Sequence, residues 1–361
     1  MQGSLTIQIG MAVDYITEFW KTAINQAAHL AIEEGSVRKV VLCGSGDSHH
    51  AAMGLEMILR TLADRHVQAG SSMYISRYLI PDSGSRCQDT LLVAISSSGE
   101  VARTVEALEM SNEIGAQTLA ITSNVESTLA KIADNVLQVD IPEIPFGPGL
   151  LSYLGSMLTG YALAARLCDD VSAQLISKVV ENLPALLERW VPGQLELGRR
   201  FANEVQDGTC VIVGGGPAYA SALFGAAKVI EAAGEMVWAQ ELEEWTHLEY
   251  FCEPANMTTW ILTANGRGRS REVEVINAAK TIGRRIAISS WDGGDDWHPL
   301  LRESLSPLAL WAAPTAYAAE RSHLLDAIPF RDFGGGRDQK EGGGASRIRS
   351  SQRHNLKTVL Q

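Results

Sequence analysis

A run of three serines closes one strand-like stretch and leads into a helical one. The stretch reads TLLVAISSSGEV from residue 90, so Ser96, Ser97 and Ser98 follow a run of apolar residues. In parallel α/β sheets, ligands bind beyond the carboxyl ends of strands, where loops lead into helices. Serine hydroxyls and backbone N–H groups at such a point can share a phosphate's oxygens, and the helix dipole favours its charge. The run therefore predicts an anion site. The alternative is that Ser98 is only the N-cap of the helix.

A second loop, GSGDSHH at residues 44–50, also joins a strand-like run to a helical one. A dinucleotide-binding fingerprint would need a glycine where His49 stands, and a P-loop would need Gly-Lys before Ser or Thr. Two serine-bearing loops at neighbouring strand ends suit one phosphate, and we expect a histidine to contact the ligand. The candidate binding residues of this loop are Gly44, Ser45, Gly46, Ser48 and His49.

A lysine and a glutamate lie three residues apart among small apolar residues. At this spacing Lys228 and Glu231 share one face of a helix, and the ammonium keeps the carboxylate charged and able to accept a proton. Isomerising an aldose to a ketose needs such a base, held out of bulk water, to move a proton between C1 and C2 through an enediol. The alternative is a surface ion pair of about 0.3–0.5 kcal/mol. The apolar neighbours favour a buried helix with a functional pair.

Strand-like and helical patterns alternate along the chain, which indicates βαβ units around parallel sheets. The pattern at 41–60 returns at 210–231 with an offset of 170 residues, and Gly115 returns as Gly283 with an offset of 168. A nearly constant offset predicts a duplicated domain. The expected divisions are an N-terminal helix in 1–37, domains in 38–190 and 191–330, and a tail in 331–361.

The composition of the chain counts against several classes of protein, among them nucleic-acid-binding and membrane-spanning proteins. The chain has 361 residues, 46% of them hydrophobic, and a net charge of −12, which counts against nucleic acid or an anionic membrane as the main partner. The N-terminus lacks the features of a signal peptide, and the apolar stretch 150–168 is too polar for a membrane span. No cysteine pair has C-x-x-C spacing, and Cys43 and Cys210 lie in apolar runs, which predicts buried thiols in a cytoplasmic protein.

The segments VVLCGSGDS, LLVAISSSGE and AITS resemble the sugar isomerase (SIS) domain, a phosphosugar-binding module. With the repeat, the chain is similar to double-SIS proteins. The resemblance implies an α/β fold of two tandem SIS domains, each a parallel sheet flanked by helices in a flavodoxin-like three-layer sandwich. It also implies that the serine loops hold the phosphate of a hexose-6-phosphate-like sugar. Val101 stands where the family often has threonine, and Thr104, one turn later, is the candidate replacement.

Residues 222–251 resemble the isomerase half of glucosamine-6-phosphate synthase. There, a helix carries a catalytic lysine and glutamate, and a histidine follows sixteen residues after the glutamate. The matching residues are Lys228, Glu231 and His247. The resemblance implies that Glu231 is the base and that His247 opens the sugar ring across a homodimer interface. Phe224 replaces the synthase's second helix glutamate, which counts against the synthase's own reaction. The glutamates near His247 lack metal-ligand spacing, so we expect no metal and no cofactor.

Beyond residue 330 the chain is rich in glycine, arginine and serine, which is also typical of a disordered tail. Its end, RHNLKTVLQ, resembles the synthase's C-terminus, whose lysine closes over the open-chain sugar. The resemblance assigns this role to Lys357. Four arginines are candidate further anion contacts, namely Arg331, Arg337, Arg347 and Arg349.

Three functions stay open on the sequence. The first is a phosphosugar aldose–ketose isomerase or an aminosugar-phosphate isomerase/deaminase, and no use of glutamine is expected because no N-terminal cysteine nucleophile is present. The second is a deglycase that hydrolyses phosphorylated fructose–amine adducts with the same base and a water. The third is a non-catalytic sugar-phosphate sensor, which the loss of the carboxylate at Phe224 favours.

Overall fold

The computed structural model describes residues 3–33, 35–83, 87–205, 209–330 and 351–361. The chain forms two compact units. The unit we call the serine unit contains Tyr15–Pro142, Leu151–Glu181 and the C-terminal residues. The other, the lysine unit, contains the described residues of Met1–Asp14, Glu143–Leu150 and Asn182–Gly336.

The serine unit is built on a five-stranded parallel sheet. Its strands are β1 Lys39–Gly44, β2 His66–Ser71, β3 Thr90–Ile95, β4 Gln117–Thr122 and β5 Asn135–Gln138. They lie in the order β2-β1-β3-β4-β5, which is the order of flavodoxin-like sheets. Every residue of β3 is buried, as expected for a central strand covered on both faces.

The lysine unit has a four-stranded parallel sheet. Its strands are β6 Cys210–Gly214, β7 Val237–Glu241, β8 Thr258–Thr263 and β9 Arg285–Ser290, in the order β7-β6-β8-β9. This order repeats that of the first four strands of the serine unit. Two parallel sheets flanked by helices confirm the predicted α/β fold class.

The helices connect and cover these strands. They are α1 Ser4–Ala28, α2 Asp47–Thr61, α3 Ser72–Tyr74, α4 Ile80–Ser83, α5 Ala102–Glu113, α6 Thr128–Ile132, α7 Leu151–Leu167, α8 Asp170–Glu204, α9 Pro217–Ala233, α10 Leu242–His247, α11 Arg269–Thr281, α12 Pro299–Ser304, α13 Ala312–Leu324 and α14 Leu356–Val359. A π-helical turn (Ile75–Leu79) and two 3₁₀ turns (Glu249–Phe251, Ser306–Leu308) complete them. Helix α8 runs unbroken through residues 182–194, where a domain boundary is predicted.

Two glycines with the same spacing and conformation lie between the first strand of each unit and the helix that follows it. A Cβ on Gly44 would lie 2.5 Å from the carbonyl carbon of Ser48, and a Cβ on Gly214 would clash with the backbone of Ala218. Gly46 and Gly216 have φ values of +57° and +54°, in the region that L side chains rarely adopt. Both strand-to-helix turns therefore require glycine, and they require it at corresponding positions.

Two sequence expectations about burial agree with the structure. Cys43 and Cys210 are buried and neither forms a disulfide, and burial raises the pKa of the Cys43 thiol to about 12. The apolar stretch at 150–168 forms the buried helix α7. Within the described residues, none of the helices has the length and apolar character of a membrane span.

Candidate functional site

The serine run forms a compact loop between β3 and α5. Ser96 is buried and its Oγ accepts the Gly99 N–H at 3.2 Å, whereas Ser97 and Ser98 are exposed. The Ser97 hydroxyl lies 3.0 Å from that of Ser123, after β4. Ser98 is not the N-cap of α5, because the helix begins at Ala102 after Val101, and no side chain caps it. The loop thus presents two hydroxyls beside an uncapped helix N-terminus, which suits an anion.

The second predicted loop lies after β1, the neighbouring strand in the sheet. Ser45 and Gly46 are exposed and Ser48 is half-buried. Helix α2 begins at Asp47 and also has no side-chain cap. Burial, and to a lesser extent the neighbouring His50, lowers the pKa of His49 to about 4. His49 is therefore neutral at pH 7, suited to hydrogen bonding rather than to charge pairing.

Thr104 is separated from these exposed groups. It is fully buried, and its hydroxyl lies 2.7 Å from that of Ser72. Ser72 is also buried and accepts a weak hydrogen bond from Cys43 Sγ at 3.6 Å. The structure thus brings Ser97 and Ser98 to the surface of the loop and leaves Thr104 in the core.

A buried glutamate on α5 holds the end of the chain, and the sequence did not indicate it. Glu106 has no exposed side-chain surface and pairs with Arg77 and Arg103, each at 2.7 Å. Its Oε2 accepts the backbone N–H of His354 at 3.0 Å. Arg103 also donates to the Gln352 carbonyl. The i,i+3 spacing of Arg103 and Glu106 was visible in the sequence, but the distant partners were not.

Helix α14 lies against the core of the serine unit through Leu356 and Val359. Lys357, between them, is exposed. Arg353 pairs with Glu109 of α5 at 2.7 Å. The final residues are therefore docked on the helix that follows the serine run. The four arginines predicted to contact an anion, Arg331, Arg337, Arg347 and Arg349, lie outside the described residues.

In the lysine unit, Lys228 and Glu231 form the predicted pair on α9. The Lys228 side chain is 0% exposed and its Nζ donates to Glu231 Oε2, while the Glu231 side chain is 26% exposed. Phe224, one turn earlier, is buried, and its ring centroid lies 5.1 Å from Nζ. A cation over an aromatic face is favourable. The pair is thus a buried ammonium that anchors a carboxylate reachable from solvent.

His247 lies at the end of α10 and is not buried. Its side chain is 67% exposed, and Nε2 is 3.4 Å from Glu243 Oε1. In the described part of the chain, no three His, Cys, Asp or Glu side chains are placed to hold a metal ion.

Sequence comparison places this chain among known proteins. Residues 36–166 match the SIS domain family. A glutamine–fructose-6-phosphate aminotransferase (isomerizing) from Legionella pneumophila is 31% identical over 204 residues, which is 54% of this chain and 32% of that protein. Its counterpart from Halobacterium salinarum is 36% identical over 175 residues, 46% of this chain and 28% of that protein. The matches thus span about a third of these relatives.

Solved structures with the same fold include enzymes of sugar phosphates. The C-terminal domain of glucosamine-fructose-6-phosphate aminotransferase from Francisella tularensis superposes with a TM-score of 0.72 at 15% identity, covering 89% of this chain and 97% of that one. Glucosamine-6-phosphate deaminase from Thermotoga maritima gives 0.62 at 16% identity, with 86% and 94% covered. At such identities the likeness concerns the fold. Residues 36–166 therefore match the SIS domain family, and the chain as a whole shares the fold of these structures.

Proposed function

We propose that the protein is a phosphosugar isomerase-type enzyme, acting on a hexose-6-phosphate-like substrate through an enediol or enediolamine. Both an aldose–ketose isomerase and an aminosugar-phosphate isomerase/deaminase use this chemistry. The proposal depends above all on the Lys228–Glu231 pair, a buried ammonium beside a partly exposed carboxylate. The names of its relatives, a fructose-6-phosphate aminotransferase and a glucosamine-6-phosphate deaminase, support the substrate class.

The serine unit is proposed to bind the phosphate. Ser97 and Ser98 present exposed hydroxyls, and α2 and α5 begin without side-chain caps at neighbouring strand ends. Hydroxyls and uncapped N–H groups bind oxyanions without needing a lysine. Ser45 and Ser48 of the glycine loop are proposed to complete the phosphate site, and neutral His49 to hydrogen bond to the sugar.

Glu231 is proposed to be the base. Its carboxylate takes a proton from C1 or C2 of the open-chain sugar, becomes a carboxylic acid, and returns the proton to the other carbon. Lys228 keeps the carboxylate charged between turnovers, because protonating Glu231 would leave a buried ammonium without its counter-ion. His247, exposed here, is proposed to open the ring from a second copy of the chain in a cytoplasmic homodimer. Lys357 is proposed to close over the open-chain sugar.

Solvent-deuterium exchange tests this function. The purified protein is incubated in D₂O with fructose, glucosamine or fructosamine 6-phosphate, and C1 and C2 are followed by NMR. We expect exchange with at least one sugar, and a loss of about 10²–10⁴-fold in Glu231→Gln. The exchange should survive in Glu204→Gln, which alters an exposed helical ion pair of the same unit. Exchange that persists in Glu231→Gln would refute the assigned base. Release of free amine from fructosamine 6-phosphate would identify a deglycase.

Phe224 favours one alternative, a non-catalytic sugar-phosphate sensor. The ring is buried and occupies the helix position that carries a second carboxylate in the synthase, beside Lys228 Nζ. A sensor needs binding but no base. Thermal stabilisation by one of the sugars, without any deuterium exchange, would support the sensor and leave Lys228 and Glu231 as a structural pair.

A further inference from the structure

The loop after β8 occupies, in the lysine unit, the place that the serine run occupies in the serine unit. Strand β8 begins 168 residues after β3, and each is the neighbour of its unit's first strand. At this offset Gly266 corresponds to Ser98 and Arg267 to Gly99. Gly216, at the start of α9, corresponds to Gly46 at the start of α2 and has the same backbone conformation. The lysine unit therefore has the same backbone arrangement as the proposed phosphate site, namely two strand-to-helix loops at neighbouring strand ends. We call this arrangement the frame.

A carboxylate of the chain itself occupies this frame. Glu303, on α12, is 8% exposed. Its Oε1 accepts the backbone N–H of Arg267 at 3.3 Å, and its Oε2 lies 3.2 Å from Arg267 Nε. A Cβ on Gly266 would lie 2.5 Å from Glu303 Oε1, and one on Gly216 would lie 3.8 Å from the same atom. The carboxylate thus sits against both loops, at the point where they converge.

The serine unit is different at the corresponding place. There the hydroxyls of Ser97 and Ser98 are exposed. The acidic residue of that loop, Glu100, is directed away and accepts two hydrogen bonds from Thr128 at 2.8 Å. The serine unit therefore presents hydrogen-bond donors to solvent at this place. In the lysine unit, a backbone N–H and a guanidinium contact a carboxylate of the chain itself.

We propose that Glu303 acts as a built-in anion. Its carboxylate occupies the anion-binding position between the two loops of the lysine unit, here called the cradle. In the serine unit, the corresponding position stays open for a phosphate. The comparison rests on the proposed phosphate site of the serine unit. It follows that the intact lysine unit takes no free oxyanion at this cradle. Without the carboxylate, the Arg267 N–H and guanidinium would face a space shaped for a tetrahedral oxyanion, such as inorganic phosphate or sulfate.

The test is rescue of a variant by an anion. Glu303→Ala empties the cradle and leaves Arg267 without its counter-ion, so the melting temperature should fall. Phosphate or sulfate should then raise it by several degrees more than chloride at equal ionic strength. Glu303→Gln is the matched control, because an amide of similar shape keeps the cradle filled. All variants carry Ser97→Ala and Ser98→Ala, so that binding in the serine unit does not contribute.

The outcomes separate this proposal from the proposed function. Anion-specific stabilisation of Glu303→Ala, absent from Glu303→Gln and from the parent, supports the built-in anion. Equal responses of the three proteins overturn it, as does a Glu303→Ala variant that cannot be refolded even in phosphate. The proposed phosphate site is judged separately, by whether phosphate stabilises the chain with intact serines more than the double serine variant.

Discussion

Lys228 and Glu231 form an ion pair one turn apart on α9, with the ammonium fully buried and the carboxylate a quarter exposed. A buried ammonium is stabilised by a nearby counter-ion, so the ion pair holds the Glu231 side chain in place. Glu231, the partly exposed member, is then the part of the pair that solvent or a ligand can reach. This asymmetry distinguishes the pair from an ordinary surface ion pair.

Replacing the lysine by an apolar side chain of similar length separates catalysis from stability. In Lys228→Met we expect deuterium exchange to fall about 10²–10⁴-fold, because Glu231 loses the charge that keeps it ionised. The melting temperature should fall only moderately, because the fully buried charge is the one removed and the carboxylate left behind is partly exposed to solvent. Differential scanning calorimetry and the NMR exchange assay measure the two effects. Unchanged exchange would contradict the role given to Lys228.

Docking of the C-terminal residues should depend on Glu106. In Glu106→Gln the paired Arg77 and Arg103 lose their buried counter-charge, and we expect a loss of about 3–5 kcal/mol in unfolding free energy. Residues 351–361 should also show faster amide hydrogen exchange. The control is Glu109→Gln, which breaks the more exposed pair with Arg353 and should cost about 0–1 kcal/mol. Similar effects of the two changes would argue against Glu106 as the anchor.

The free energy of unfolding should decrease as the pH is lowered, and His49 should account for part of this decrease. Its pKa is about 4 in the folded chain, below its ordinary value of 6.5. As the pH falls from 6.5 toward 4, the unfolded chain binds the proton first, so the contribution of neutral His49 is complete above pH 6.5 and is lost through this window. His49→Gln should therefore flatten the dependence of unfolding free energy on pH there. Asp47 and His50, the charged and titratable neighbours on α2, are unchanged in His49→Gln, and exposed His29→Gln serves as the control. An unchanged slope in His49→Gln would contradict the prediction.

The close approach at Gly44 should make this glycine hard to replace. Gly44→Ala places a Cβ against the backbone of Ser48, which cannot move as a flexible side chain would, and we expect a loss of about 1–3 kcal/mol. Gly10→Ala is the contrasting change, since Gly10 lies in α1 with open space around it. There alanine should add about 1 kcal/mol through helix propensity. Chemical denaturation measures both, and a tolerated Gly44→Ala would mean that the turn rearranges.

The central strands were predictable, and two of the edge strands, β2 and β7, were not. Runs such as TLLVAI and KVVLCG are continuous and apolar because their strands are covered on both faces. Strands β2 and β7 are only partly buried and carry polar residues such as Gln68 and Gln240, so neither shows a strand pattern. Both lie at the same edge of their sheets, which is why the same element was missed twice.

Local spacing predicted the Lys228–Glu231 pair, while tertiary contacts decided the rest of the candidate site. Lys228 and Glu231 are one turn apart, so any helix brings them together. Thr104 was the candidate replacement for the family's threonine at Val101, but its face of α5 packs inward against Ser72. Apart from Arg103, the partners of Glu106 and Glu303 are about 30 to 250 residues away in sequence and meet them only through the fold.

The matched glycines at 44, 46, 214 and 216 have a consequence for engineering. They fix both strand-to-helix turns through the backbone, so the side chains of the loops are free to differ without changing the frame. We therefore expect that a loop from one unit can replace the corresponding loop of the other unit without loss of the fold. Grafting the serine run onto the end of β8, with Glu303 shortened to make room, would be a direct attempt to give one chain two phosphate sites.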